Sequence, residues 1–200
     1  TTRIDGLSVR AGNANGTGNV IYVSGYSIPD NFGGGIMNKH AAPGVNNCIF
    51  AANMAGYGGG IFNADSASPT ITNCTFSKNY AFSGIGGGIY NETTFITLYN
   101  SGFSGNLAAL WGGGIYNNNS SVKIDLCRFS ENDAQNGAGT FSDNALLLQI
   151  EQCTFTNNSV LYSGGGIQIN NSSNAIVRKC SFADNTAGST GGGIFCDNAS

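Results

Sequence analysis

The chain repeats one phrase from end to end. Gly-Gly-Gly-Ile stands at 33–36, 58–61, 86–89, 112–115, 164–167 and 191–194, and Gly137-Ala138-Gly139-Thr140 fills the one gap. Between these copies runs a second series, Phe-x-x-Asn, beginning at Phe50, Phe76, Phe103, Phe129, Phe155 and Phe182, with successive Phe residues 26 or 27 apart. Two interleaved series of this regularity restrict the chain to stacked units that each cover the next.

One period reads as strand and bend. The glycines and Ile open a short strand, and a polar stretch follows. A second strand carries an aliphatic residue five before each Phe: Val45, Ile71, Leu98, Ile124, Ile150 and Val177. Two residues further on stands Asn47, Asn73, Asn100, Gln152 or Lys179. This is a corner position, where Asn in particular tolerates the left-handed backbone. A third strand, Cys-x-Phe, ends at the Asn. Three short strands and three bends in every 26–27 residues describe one coil of an all-β, right-handed, single-stranded parallel β-helix. About seven such coils, spaced at the ~4.8 Å of paired strands, give a rod roughly 30–35 Å tall. The period is too short for a propeller blade and has no 3.6-residue component.

Stacking explains the monotony. Like residues of successive coils are expected to form ladders: Phe50, Phe76, Phe103, Phe129, Phe155 and Phe182; Asn53, Asn79, Asn106, Asn132, Asn158 and Asn185; Cys48, Cys74, Cys127, Cys153 and Cys180, with Ser101 in the thiol slot of the remaining coil. The Asn series is expected to satisfy buried backbone groups as well as its own neighbours. Small residues two past the Asn (Ala55, Ala81, Ala108, Ala134, Ala187, with Val160) mark a crowded corner. No coil is stable alone. Fixing a residue costs on the order of 1–2 kcal/mol, and each inward apolar side chain returns roughly 1.5–3 kcal/mol. Contacts between coils must close the difference.

Charged residues make up 10% of the chain and the net charge is −3, so the exterior rests on Ser, Thr, Asn and Gly. The eight Lys and Arg are scattered, which argues against nucleic acid, whose binding needs clustered cations. No apolar run approaches the ~18 residues of a membrane span. Residues 1–200 read as a single β-helix segment, expected to be a piece of a longer solenoid. Its one departure is an excursion at 15–32 containing Val20-Ile21-Tyr22-Val23. It reads as a flap, an extra hairpin, a partner contact or a plain loop over the side.

Chemistry-bearing residues are few. The five stacked thiols read as small buried hydrophobes. The alternative is a vertical disulfide, whose Cα spacing is permitted although the parallel Cβ vectors are awkward. A linear column does not converge on a metal, and no catalytic residue, metal or cofactor is assigned. Asp65, Glu92, Asp143 and Asp197 suggest an acidic column after the first strand, read as solvated turn residues, with weak calcium binding as the alternative. His40 beside Lys39 has no patterned partner. Alternation turns the residue after each Ile outward. Phe62, Tyr90, Tyr116, Phe141 and Phe195 would then form a surface stripe for stacking on sugars or on another protein, unless the column stacks on itself or an inverted register buries it. Asn-x-Ser/Thr strings, as at Asn91 and Asn171, are expected by composition alone.

The pairing of Gly-Gly-Gly-Ile with Phe-x-x-Asn, as in GGGIY…FSGN, GGGIY…FSEN and GGGIQ…FADN, resembles the repeat of the chlamydial polymorphic outer-membrane-protein family. It is also similar to the pectin-lyase-like repeats of large bacterial and archaeal surface proteins. The resemblance covers nearly the whole chain and departs in preferring GGGI to GGAI. It implies a right-handed β-helix, secretion and display at the cell surface, with adhesion as the work of better-understood members, and it carries no catalytic residues across. The expected function is therefore a non-enzymatic structural or adhesive segment of an extracellular surface, sheath or fibre protein. Its partners would be glycans, other cell-surface proteins or copies of itself, and a membrane only through parts outside this chain. The alternative is a carbohydrate-active module, lyase- or hydrolase-like, with its active site mostly outside these residues or under the 15–32 loop. An ice-binding solenoid would want regular outward Thr rows. The residue between Cys and Phe varies instead as Ile49, Thr75, Gly102, Arg128, Thr154 and Ser181.

Overall fold

The computed structural model describes residues 2–23, 26–172 and 174–199. The coil around Phe76 serves for all. Its strands are Thr70–Thr72, Thr75–Ser77, Tyr80–Ala81 and Ile89–Glu92. Each pairs in parallel with its equivalents in the coils on either side: Phe76 lies between Phe50 and Phe103, and Ile89 between Ile61 and Ile115. The result is four parallel sheets of seven strands each, here called first to fourth in the order just given, with no helix among the described residues.

The expected three strands per coil are thus four. The additional sheet is built from two-residue strands such as Tyr80–Ala81 and Leu107–Ala108. Two residues place one side chain inside and one outside, which leaves no alternation to read. The inward member is the alanine, and Ala81, Ala108 and Ala134 form a small buried cluster of their own. The crowding inferred from the alanine column is real, but it belongs to a strand.

Four bends close the coil, and each contains one residue with positive φ. In this coil they are Asn73 (φ 53°), Lys78 (φ 54°), Gly86 (φ 70°) and Thr93 (φ 54°). At three of them the residue after the bend points a small polar side chain inward, and its backbone N–H meets the corresponding side chain of the next coil. Cys74 N–H donates to Ser101 Oγ at 3.1 Å, Asn79 N–H to Asn106 Oδ1 at 3.0 Å, and Thr94 N–H to Ser120 Oγ at 3.1 Å. A bend turns this N–H away from the carbonyl ladder. A side-chain acceptor must replace the carbonyl, because an unpaired buried N–H is costly. The repeat therefore carries Cys or Ser and Asn at the first two of these places, while the third holds Thr94, Ser120 or Ser172 in some coils and Ala67 or Ala145 in others.

The interior of the rod is filled by Val45, Phe50, Ile61, Ile71, Phe76, Ile89, Leu98 and their successors in one continuous cluster. Rings from Phe50 to Phe182 stack with centroids 4.7–4.9 Å apart and planes within 8° of parallel. Gly88 shows why a triplet of glycines precedes the Ile. A Cβ there would lie 2.5 Å from the Gly114 carbonyl oxygen and 3.0 Å from Phe103 Cδ1, so the ladder of Phe rings occupies the space a side chain would need.

The 15–32 excursion contains an antiparallel hairpin, Val20–Val23 against Tyr26–Pro29, inserted in the first link between the third sheet and the fourth. Asp30 anchors its base by accepting the Gly18 N–H at 2.8 Å.

Candidate contact surface

The column after each Ile turns away from the interior, as alternation requires, yet it is not an outer surface. Phe62, Tyr90, Tyr116 and Phe141 are all 5% exposed or less. The expected stripe is corrected on this point, and of its members only Phe195, in the last described strand, is half-buried. The register is not inverted. Instead, the segment linking the third sheet to the fourth swings out of the rod and folds back as an arm over the fourth sheet's outer face. Ile85 and Leu110 come from these arms and pack on the column together with Phe32 and Tyr57, and Met37 is the column's own rung before Phe62. The Trp111 ring lies 5.8 Å from Tyr116 and 5.7 Å from Phe141. Burial, then the neighbouring Glu92 carboxylate, pushes the Tyr90 phenol above the usual tyrosine range; burial and then Asp143 do the same to Tyr116. The signal available beforehand was the apolar residue just ahead of the glycines, as at Tyr57, Ile85 and Trp111.

The Asn ladder runs through the rod as expected. Asn79 Nδ2 donates to Asn106 Oδ1 at 2.9 Å and to the Phe50 carbonyl at 3.0 Å, and the same pattern holds from coil to coil. A second amide ladder lies at Asn38, Asn63, Asn91, Asn117 and Ser142, joined at 2.8–3.0 Å. Its signal was the Asn two past the Ile in Gly-Gly-Gly-Ile-x-Asn. Asn91 is thereby fully buried. Asn171 is exposed at a bend and donates to Asp143 Oδ1 at 3.2 Å.

The thiols are structural. All six cysteines are free, and Cys48, Cys74, Cys127 and Cys153 are buried. Each donates to the carbonyl two residues back, at 3.0 Å for Cys48 and Cys153, and Ser101 Oγ makes the same bond at 3.0 Å. Burial pushes the Cys74 thiol up to about 11. Cys153 is also held well above the usual thiol range, by its contact with Cys127 and by burial.

Glu92, Asp143 and Asp197 share one column, with Asn118 and Asn170 between them and Ala64 on the rung before Glu92. Asp65 lies one residue out of line, at a bend, paired with Lys39 at 2.9 Å and 3.8 Å from His40. Among the described residues no group of His, Cys, Asp and Glu is placed to hold a metal ion.

One feature open to a partner is a groove of about 480 Å³ along the outside of the third sheet. Its floor is the outward column Tyr80, Leu107, Asp133 and Ser159, paired rung to rung. Its side is formed where the arms depart, at Ala109, Gln135 and Leu161. Leu107 is 39% exposed and Leu161 59%, and Trp111 and Tyr162 stand exposed on the same arms.

Two family profiles match this chain. One, described as a right handed beta helix region, matches residues 113–200. The other, described as the Chlamydia polymorphic membrane protein repeat, matches residues 73–92 and 103–118. No curated protein and no solved structure matches.

Proposed function

We propose that this right-handed β-helix, built of polymorphic membrane protein repeats, is a non-enzymatic adhesive segment of a cell-surface protein, and that the segment is one stretch of a longer solenoid. The repeat profile supports the surface setting. The observation that carries the adhesive part is how the chain uses its material. Polar corners and buried ladders serve rigidity, while Leu107, Leu161 and Tyr162 at the groove on the third sheet keep their side chains exposed. Other large apolar side chains, Phe95 and Leu146 among them, are exposed elsewhere on the rod; those of the third sheet stand beside the groove, and exposed apolar groups that adjoin one another are what a contact surface uses. Partners of the segment are glycans, other surface proteins or copies of itself.

Adhesion of coated beads tests the reading. Beads carrying the folded chain should bind cultured epithelial cells, and beads carrying the urea-unfolded, alkylated chain should not. Equal binding by both overturns the adhesive reading. Turnover of pectin or a glycosaminoglycan by the purified chain, lost on an acid-to-amide change, overturns the non-enzymatic part.

A further inference from the structure

We propose that the groove on the third sheet binds an extended, uncharged oligosaccharide lying parallel to the rod axis, an inference that rests on the adhesive reading above. Tyr80, Leu107, Asp133 and Ser159 occupy four successive rungs in register. Rungs repeat at ~4.8 Å, so an extended saccharide running along the groove crosses a new outward side chain at roughly every ring.

The lining has the mixed character that a sugar ring requires. A pyranose offers an apolar C–H face and a rim of hydroxyls. The Tyr80 ring and the exposed Leu107 and Leu161 side chains suit the first. The Asp133 carboxylate, Gln135 amide and Ser159 hydroxyl suit the second, and a few placed polar groups on an apolar wall are how such sites fix orientation. The lining contains no Lys or Arg, and the chain is net negative. An anionic glycan would find no counter-charge there, whereas a neutral one needs none. Asp133 is partly desolvated, which lifts its carboxyl above the ordinary aspartate range. A hydroxyl donor would relieve that desolvation. The lining has only one carboxylate, so it lacks the facing pair that glycoside hydrolysis ordinarily uses. Its floor is also rigid before binding. The buried Ala108 and Ala134 lie beneath it, and the backbone is tied from coil to coil, which keeps the ordering cost low.

The test is a titration of the isotope-labelled folded chain followed by amide chemical shifts. Cellohexaose and chitohexaose are the probes, and maltohexaose, which coils, is the control. The two extended sugars should move the amides of Leu107, Asp133 and Leu161 saturably, and maltohexaose should move them little. Tyr80→Ala with Leu107→Ala should weaken binding about tenfold. Leu161→Arg, at a residue exposed enough to tolerate the change, should block the groove even if the double variant folds poorly. Shifts centred away from the groove, no shifts with any sugar, or unaltered affinity in Leu161→Arg overturn the proposal. Running the bead assay alongside separates the two ideas. Adhesion without sugar binding removes only the groove assignment, and loss of both removes the adhesive reading too.

Discussion

Replacing Asn106 with alanine should be among the most damaging single changes in the chain. Asn106 Oδ1 accepts two hydrogen bonds from the coil before it, from Asn79 N–H at 3.0 Å and from Asn79 Nδ2 at 2.9 Å, and all three groups are fully buried. The substitution removes the acceptor and strands both donors where water does not reach. Each stranded donor costs about 1–3 kcal/mol, so the pair comes to about 2–6 kcal/mol, before counting the lost donation to the Phe76 carbonyl. At the middle of that range, and at ~2–4 °C per kcal/mol for a chain of this size, the melting midpoint should fall by roughly 8–16 °C. Asn118→Ala is the control. Asn118 is half-buried at the end of a fourth-sheet strand, and its loss should cost ~1 kcal/mol. Because stacked repeats can unfold in part, urea midpoints should be read together with hydrogen exchange at the Asn79 amide. In Asn106→Ala that proton should exchange faster, out of proportion to those of distant coils. Equal midpoints for the two variants, or no change in protection at Asn79, would refute the claim that the ladder side chains replace carbonyls at the bends.

Gly88→Ala should destabilise by more than about 2 kcal/mol, because its Cβ would meet the Gly114 carbonyl oxygen and the Phe103 ring; a midpoint shift measured by circular dichroism within error of zero would contradict this. Thiol labelling at neutral pH should modify the exposed Cys196 quickly and leave Cys48, Cys74, Cys127 and Cys153 untouched until urea is added, so rapid labelling of all six would show that the column is not buried. Tyr90 and Tyr116 have folded-state phenols raised above their ordinary value. Their contribution to stability is therefore full below the unfolded value of ~10 and is lost as pH rises beyond it. Phenolate absorbance should show these two silent through the ordinary tyrosine range while the fold persists, and ordinary titration of all eight tyrosines in the folded chain would contradict their burial.

Periodicity made the rod legible. The spacing of Phe76, Phe103 and Phe129 gave the coil length, and the Asn and Cys columns lie in ladders because equivalent residues pair in register. The third sheet was not legible, since a strand such as Tyr80–Ala81 is too short to alternate. The aromatic column was misplaced for a different reason. Tyr90 and Tyr116 face away from the rod as the pattern says, but facing away equals exposure only when nothing lies on top. The arm carrying Ile85 and Leu110 covers them, and its return path depends on the bend at Gly86 (φ 70°). The second amide ladder, from Asn38 to Ser142, was visible in the wording of the repeat, though its hydrogen-bond partners become evident only once coils are stacked. The groove could not be read at all, because its lining combines an outward strand residue with one from the departing arm.

A crystal structure resolving side chains would bear most directly on the account as a whole. Consecutive rings of Phe50, Phe76, Phe103, Phe129, Phe155 and Phe182 should lie face to face 4.7–4.9 Å apart inside one rod. Density placing Phe76, Phe103 and Phe129 on separate parts of the molecule, or slipped by one residue so that a ring faces solvent, would contradict it.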